Sequence, residues 1–462
     1  MNPTSAHPFS RYASIIDDWE AFANRLQQTL PRSLWLNPLK PINPAVKSAL
    51  TQPWEAAPHW PESYLFAQTD LGTHWGYYAG LYHIQETVSM LPALLLRPQP
   101  GERILDLCAA PGSKTVQLAL AMQNQGTLIA NDKNYMRTKA LRYHLERLGI
   151  TNVATTTCDG ASYPKAVGLF DKILVDAPCS GEGTSRKQSQ KWLNNLQVHN
   201  VHRLQQRLLS RAVSLCKPGG LIVYSTCTYA PEENEQVINT ALQQHPELSL
   251  LPISFPHLLT TPGITVWEGQ HFSEELVKTA RVWPHHNDTG GFYLALMQKT
   301  NHVTAQSDEL PIAQDTDSLQ ELQQYLQPFA FPPDMFKQYA TFKVAKHGIY
   351  VVSADHVPVN IPNLDAMGLF VLKSHMQHPK LTTAGAKLWG HLAQQQFVEL
   401  DTSQLQAYLR REDINLPVGQ TENCTHGGYV IVRHEGLGLG VGLLMNPILP
   451  GTWMLRSLYP KT

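Results

Sequence analysis

The stretch Leu105-Asp106-Leu107-Cys108-Ala109-Ala110-Pro111-Gly112-Ser113-Lys114-Thr115 reads as an apolar strand that passes through a loop of small residues into a helix. Small side chains let a ligand approach the backbone, and the amides that open a helix favour a polar or anionic group. An acid about 20 residues further on is placed to hold ribose hydroxyls. Asp132, after Ile129-Ala130-Asn131, has that position, and Asp159, in Cys158-Asp159-Gly160 after the next strand-like segment, is placed to meet an adenine amino group. The spacing fits a nucleoside cofactor. It is neither the G-x-x-x-x-G-K phosphate loop nor G-x-G-x-x-G.

Outward from this loop, strand-like and helix-like segments alternate from Gly101 to about Lys299. The pattern predicts strands over 103–107, 127–130, 152–155, 172–175, 221–225 and 292–296, with helices over 116–122, 136–148 and 201–215. Lys217-Pro218-Gly219-Gly220 has the chemistry of a helix stop and turn. The expected fold class is α/β, doubly wound around a parallel sheet.

Ligands bind outside the carboxyl ends of strands in such a sheet. Cys179 directly follows one apolar segment, in Asp176-Ala177-Pro178-Cys179-Ser180-Gly181, and Cys227 another, in Tyr224-Ser225-Thr226-Cys227-Thr228. That placement suggests paired reactive thiols at the mouth of a site. Cys108, Cys158, Cys216 and Cys424 are read as structural. None of the six has disulfide or zinc spacing, so reduced thiols are expected.

Composition narrows the rest. A chain of 462 residues, 43% apolar, has material for roughly three domains of about 150 residues each. Residues 1–20 carry Asp17, Asp18 and Glu20 without an apolar stretch, and no run approaches about 18 apolar residues, so a soluble cytoplasmic protein is expected. Against 36 basic stand 37 acidic residues, a net charge of −1; any nucleic-acid surface must therefore be local. Expected units are a compact Trp- and Pro-rich module over 1–75, the α/β domain over 76–300, a polar linker over 301–320, an α+β module over 321–395 and a small β-barrel over 396–462.

Four segments together resemble the Nop/Sun family of RNA cytosine-C5 methyltransferases. They are Cys108-Ala109-Ala110-Pro111-Gly112-Ser113-Lys114, Asp176 through Gly181-Glu182-Gly183, Tyr224 through Thr228 to Glu232-Glu233-Asn234-Glu235, and Trp283-Pro284 to Thr289-Gly290-Gly291-Phe292. The likeness reaches upstream to Gln85-Glu86 before Ser89-Met90-Leu91-Pro92, and downstream to an extension similar to the RsmF type, which acts on bacterial small-subunit ribosomal RNA. It implies a class I, Rossmann-like domain, an N-terminal RNA-binding-type module and a PUA-like barrel. It also implies that S-adenosylmethionine binds Cys108 to Lys114 with Asp132, Asp159 and Asp176, and Arg137 lies close enough to Asp132 to order that pocket. By the same resemblance Cys227 is the nucleophile, and Cys179 assists removal of the C5 proton and release of the product. The substrate would be RNA, with small-subunit ribosomal RNA favoured over transfer RNA; a non-catalytic RNA-binding assembly factor is the reading from another class.

Chemistry explains the demand for thiols. Cytosine C5 is a poor nucleophile until a thiolate adds at C6. Asp176 would then lie near N3, where charge develops. An ordinary Cys, with a pKa of about 8.5, is scarcely ionised at neutral pH, so Cys227 needs a nearby positive group or helix terminus, for which Lys114 is one candidate. Methylation of an exocyclic amine commonly uses an Asn/Asp-Pro-Pro-aromatic loop; Asp176-Ala177-Pro178-Cys179 favours carbon over nitrogen.

Candidate RNA contacts are Arg203, Arg207 and Arg211, on one face of a helix, with Arg186, Lys187 and Lys191 upstream. A second cluster is Arg137, Lys139, Arg142 and Arg147, and Arg433 and Arg456 stand on the barrel. Many relatives carry Arg-x-Asn in the N-terminal segment, whereas Trp35 takes the Arg position before Asn37. His285-His286 lacks a second His or Cys pair at ligand spacing, so no metal is expected.

Overall fold

The computed structural model describes the chain except residues 1–6, 45–46, 48–54, 58–62, 67–70, 188–200, 301–309, 360–362, 446–451 and 461–462. Its central sheet is built from apolar runs that are almost wholly buried, as a sheet covered on both faces requires. These are β1 (Arg103–Asp106), β2 (Thr127–Asn131), β3 (Val153–Thr156), β4 (Phe170–Asp176) and β5 (Cys216–Thr226), paired in parallel in the order β3-β2-β1-β4-β5. Antiparallel to β5 runs β6 (Phe292–Lys299). The connecting helices α1 (Ser113–Ala121), α2 (Tyr135–Leu148), α3 (Val201–Leu215) and α4 (Glu235–Gln244) bring apolar stripes to the two faces. The doubly wound, Rossmann-like reading holds. Strand order reverses between β1 and β4, so the loops that follow them open a crevice at the carboxyl edge.

One local expectation fails. Lys217-Pro218-Gly219-Gly220 is drawn into the start of β5 rather than forming a turn outside the sheet. Helix α3 does stop at Leu215, and the pairing with β4 shifts register between Phe170 and Lys172, which accommodates Pro218 and the left-handed Gly219 at φ 78°.

The flanking parts wrap this domain and each other. An antiparallel sheet runs Glu55–Ala56, Ser63–Phe66, Arg32–Leu36, Tyr82–Ile84, its last strand lying beyond residue 75. Ahead of it, Phe9, Tyr12, Ile16 and Phe22 are buried against the face of the central sheet that holds Tyr224 and Trp283. Within the segment expected as a linker, Asp315 caps a helix over Thr316–Leu326; residues 301–309 lie outside the described residues. Leu364–Met367 then adds an antiparallel strand beside β3, covering that edge of the central sheet. The C-terminal sheet runs Phe397–Glu399, Gly428–His434, Leu437–Met445, Thr452–Ser457, Ile414–Pro417 and curls into a half-barrel. Its Val398, Leu400, Val432 and Leu455 share one core with Leu34, Leu36 and Tyr82 of the N-terminal sheet. Among the described residues no helix is long and apolar enough to cross a membrane.

Candidate active site

Adjacent strands β4 and β5 deliver the two cysteines to one place. Cys179 Sγ and Cys227 Sγ lie 3.4 Å apart, both half-buried, and all six cysteines are free. Beside them Lys114, from the first turn of α1, bonds Asp176 Oδ2 at 2.7 Å and Ser89 Oγ at 3.1 Å, while Ser225 Oγ donates to Asp176 Oδ1 at 2.8 Å. The Lys114 ammonium also stands 5.6 Å from the centre of the Phe292 ring.

This setting splits the two thiols. Cys227 is held below the ordinary thiol range, first by its hydrogen bond with Cys179 and then by the Lys114 charge, against the opposing effects of burial and Asp176. Cys179 is pushed well above that range because its proton is engaged by Cys227 and because it is desolvated. Burial works against the Lys114 charge, but the Asp176 carboxylate outweighs it and raises the ammonium pKa. Cys227 is therefore the thiol that this setting favours for ionisation, and Cys179 the one it favours for keeping a proton. Cys108, in contrast, is pushed up by burial and by the nearby Asp106, Asp176 and Asp132.

Behind the thiols lies a buried network that sequence reading left without roles. Glu182, 5% exposed, accepts from Tyr12 Oη and Thr228 Oγ1 at 2.9 Å and from the Tyr229 amide at 3.2 Å. It thereby ties the loop of Cys179 to the loop of Cys227. Glu233 accepts from the Ser180 amide at 3.0 Å and from Gln205 Nε2 at 2.9 Å, and Gln205 also donates to Pro178 O. Glu86 accepts from the Gly290 amide at 2.7 Å and pairs with Lys187. Gly183 is threaded so closely that a Cβ there would lie 2.2 Å from Gly291 O, and a Cβ at Gly290 or Gly291 would lie 2.3 Å from Glu86 Oε1 or 2.1 Å from the Tyr229 ring, which accounts for the Gly-Gly of the last motif. Tyr12→Phe removes one donor from a buried carboxylate. An expected loss of about 1–3 kcal/mol follows, measurable by urea unfolding.

The cofactor-side residues also come together. Asp106, fully buried with its carboxyl pushed up to about 7 by desolvation, accepts from Thr115 Oγ1 at 2.7 Å, while its Oδ1 has no partner among the described residues. Asp132 accepts from the amides of Ala110 at 3.2 Å and Asn134 at 2.9 Å. Arg137 pairs with Asp132 at 3.1 Å and also bonds Ala110 O, so it orders the loop. Asp159, at the end of β3, caps a short turn through the Ala161 amide. Gly112, at φ 111°, opens α1.

Several expected RNA contacts do not face solvent. Arg147 is 1% exposed and spends its guanidinium on Tyr77 O, Tyr82 O and His83 Nδ1. Arg186 staples Gln28 O, Thr29 O and Thr289 O to Asp288, and Arg433 is committed to Gly390 O and Ala393 O. Arg142 pairs with Asp365. Trp35 is buried and donates to Gln85 Oε1 at 2.9 Å. Lys139 remains exposed near the Tyr135 ring, Arg456 stands 3.5 Å from Asp413, and Lys191 lies outside the described residues. His285 and His286 meet Asp17, which no sequence spacing announced, at 2.8–3.1 Å, distances of imidazole N–H donors to a carboxylate.

Fold and site together define a class I methyltransferase. Residues 93–298 match the model of the 16S rRNA methyltransferase RsmB/F family, and 395–450 match the methyltransferase RsmF PUA domain. The tRNA (cytosine(49)-C(5))-methyltransferase of Pyrococcus abyssi is 39% identical over 297 residues, covering 63% of this chain and 94% of that protein. Ribosomal RNA small subunit methyltransferase F of Erwinia tasmaniensis is 36% identical over 62% of this chain and 61% of its own length. The crystal structure of a methyltransferase homologue from Pyrococcus horikoshii superposes with a TM-score of 0.53 at 34% identity, covering 60% of this chain and 90% of that one. This chain belongs to the RsmB/F family of RNA cytosine-C5 methyltransferases. It spans only 29–61% of the length of several other curated relatives that it matches.

Proposed function

We propose that this chain transfers a methyl group from S-adenosylmethionine to C5 of cytidine in RNA, favouring small-subunit ribosomal RNA, through a bond between Cys227 and C6. The carrying observation is the 3.4 Å approach of Cys179 and Cys227 beside the Lys114–Asp176 pair. The orphaned Asp106 Oδ1 beneath the loop and the acids at the ends of β2 and β3 make a donor and acceptor set that fits S-adenosylmethionine. Cys108 to Ser113, Asp132 and Asp159 would hold it, with Arg137 ordering the loop and Lys114 and Asp176 at its edge. When bound, it supplies an electrophilic methyl group.

The chain's own residues do the rest. Cys227 Sγ bonds to C6, the C5–C6 π pair shifts through C4 toward N3, and N3 gains a proton from solvent that the Asp176 carboxylate holds there by hydrogen bond while Lys114 balances charge. Once Cys227 is bound to carbon it no longer carries the charge that kept Cys179 protonated. Cys179 then gives its own proton to solvent, and its thiolate takes the proton from methylated C5; the C–H pair restores the C5–C6 double bond, the C6–S bond breaks to return Cys227 as thiolate, and N3 releases its proton.

Similarity to an RsmF-type PUA domain supports ribosomal over transfer RNA, and six free cysteines suit a cytoplasmic setting. Labelled methyl transfer to small ribosomal subunits, naked 16S RNA and transfer RNA, followed by nucleoside mass spectrometry, tests the reading. Expected is 5-methylcytidine in small-subunit RNA. Label in transfer RNA alone would change the substrate, and label in no RNA would end the enzymatic reading.

A further inference from the structure

Between residues 183 and 231 the sequence has no Asp or Glu but seven Lys and Arg, in a chain whose overall charge is nearly balanced. Three of the seven, Arg203, Arg207 and Arg211, recur at four-residue steps on α3, which places them along one strip at intervals of about 6 Å. The structure sets this strip along an open groove of about 490 Å³, lined chiefly by Arg203, Gln206, Arg207, Ser210, Arg211 and Gln244. Among the described residues no carboxylate lines it. Arg203 and Arg207 are exposed and enter no ion pair among the described residues. Arg211 is anchored on Tyr163 O, and Ser210 Oγ lies 2.9 Å from His245 Nε2, so the foot of the groove is fixed while its two upper guanidinium groups are uncommitted.

We infer that this groove takes the sugar–phosphate backbone of the RNA that flanks the target nucleotide. Guanidinium, amide and hydroxyl donors without an acceptor carboxylate suit phosphate oxygens, whereas an apolar floor for a peptide is lacking. Position strengthens the assignment. Gln205, on the inner side of the same helical turn, braces the Cys179 loop through Pro178 O. Helix α3 runs antiparallel to the strands it connects, so Arg203 lies toward the crevice edge and Arg211 away from it. A strand leaving the site would pass along the strip from Arg203 to Arg211.

The inference rests on the RNA-methyltransferase reading, and its test separates the two. Full-length Arg203→Gln/Arg207→Gln protein is compared with wild type for binding of a fluorescein-labelled single-stranded RNA oligonucleotide over a series of salt concentrations. Each phosphate contact on single strands contributes about 0.7 to the slope of log Kd against log salt, so the double variant should lose about 1.4 and bind about tenfold more weakly at low salt. kcat at saturating RNA and KM for S-adenosylmethionine should stay at wild-type values. Arg203→Lys/Arg207→Lys should recover most of the slope, and Lys337→Gln, which removes an exposed cation of the C-terminal module, should leave it unchanged. An unchanged Kd and slope in the Gln variant would overturn the groove assignment while methylation by wild type still stood, as would a fall in kcat with unaltered RNA binding. Failure of wild type to methylate any RNA would strike the functional reading instead.

Discussion

Cys179→Ala protein mixed with RNA and S-adenosylmethionine accumulates a protein–RNA adduct that survives denaturing electrophoresis, and Cys227→Ala accumulates none. The expectation follows from the division of labour between the thiols. Cys227, held below the ordinary thiol range by its hydrogen bond with Cys179, is the better thiolate of the pair. Replacing Cys179 removes that hydrogen bond and slows addition, yet Lys114 still favours the charged form. It also removes the group that takes the C5 proton, so an adduct once formed has no efficient way out. Methyl transfer should fall by about 10⁴-fold or more in Cys227→Ala. An adduct in Cys227→Ala but not in Cys179→Ala would exchange the two roles. If wild type turns over but neither variant traps RNA, the release role assigned to Cys179 is wrong.

Lys114→Met should lower kcat/KM at neutral pH by about 10²- to 10³-fold and move the acidic limb of its pH profile to higher pH. Addition requires ionised Cys227, whose pKa is held down in part by Lys114. Without the ammonium that pKa rises, and Asp176, losing its 2.7 Å partner, pushes in the same direction. Activity should therefore return in part as pH increases. A uniform loss with the limb in place would show that Lys114 acts on substrate or cofactor rather than on the thiol.

Elements with a strong period were legible in the sequence. Helix α3 occupies the expected span, and the strands that end at Asp176 and Thr226 reach the crevice as their apolar runs implied. The cysteines were legible because strand ends fix where the next residue points. What escaped notice depends on contacts between distant segments. Tyr12 to Glu182 spans 170 residues and Asp17 to His286 spans 269, and no local pattern encodes either. Charge misled for a related reason. Arg147, Arg186 and Arg433 read as surface cations, yet guanidinium donors are also suited to knitting buried carbonyls together, and each does so. Pro218 and Gly219 signalled a break, but a register shift admits them at the start of a strand.

The core shared by Leu34, Leu36 and Tyr82 with Val398, Leu400 and Leu455 bears on how the chain emerges from the ribosome. Residues that leave the exit tunnel early must wait for residues made more than 300 positions later before their apolar face is covered. During that interval the apolar face of the N-terminal sheet stays uncovered. A chain truncated before Val398 can hold both cysteines and the cofactor loop, yet keeps that face open to proteolysis and aggregation. Completion of synthesis is thus written into the packing itself.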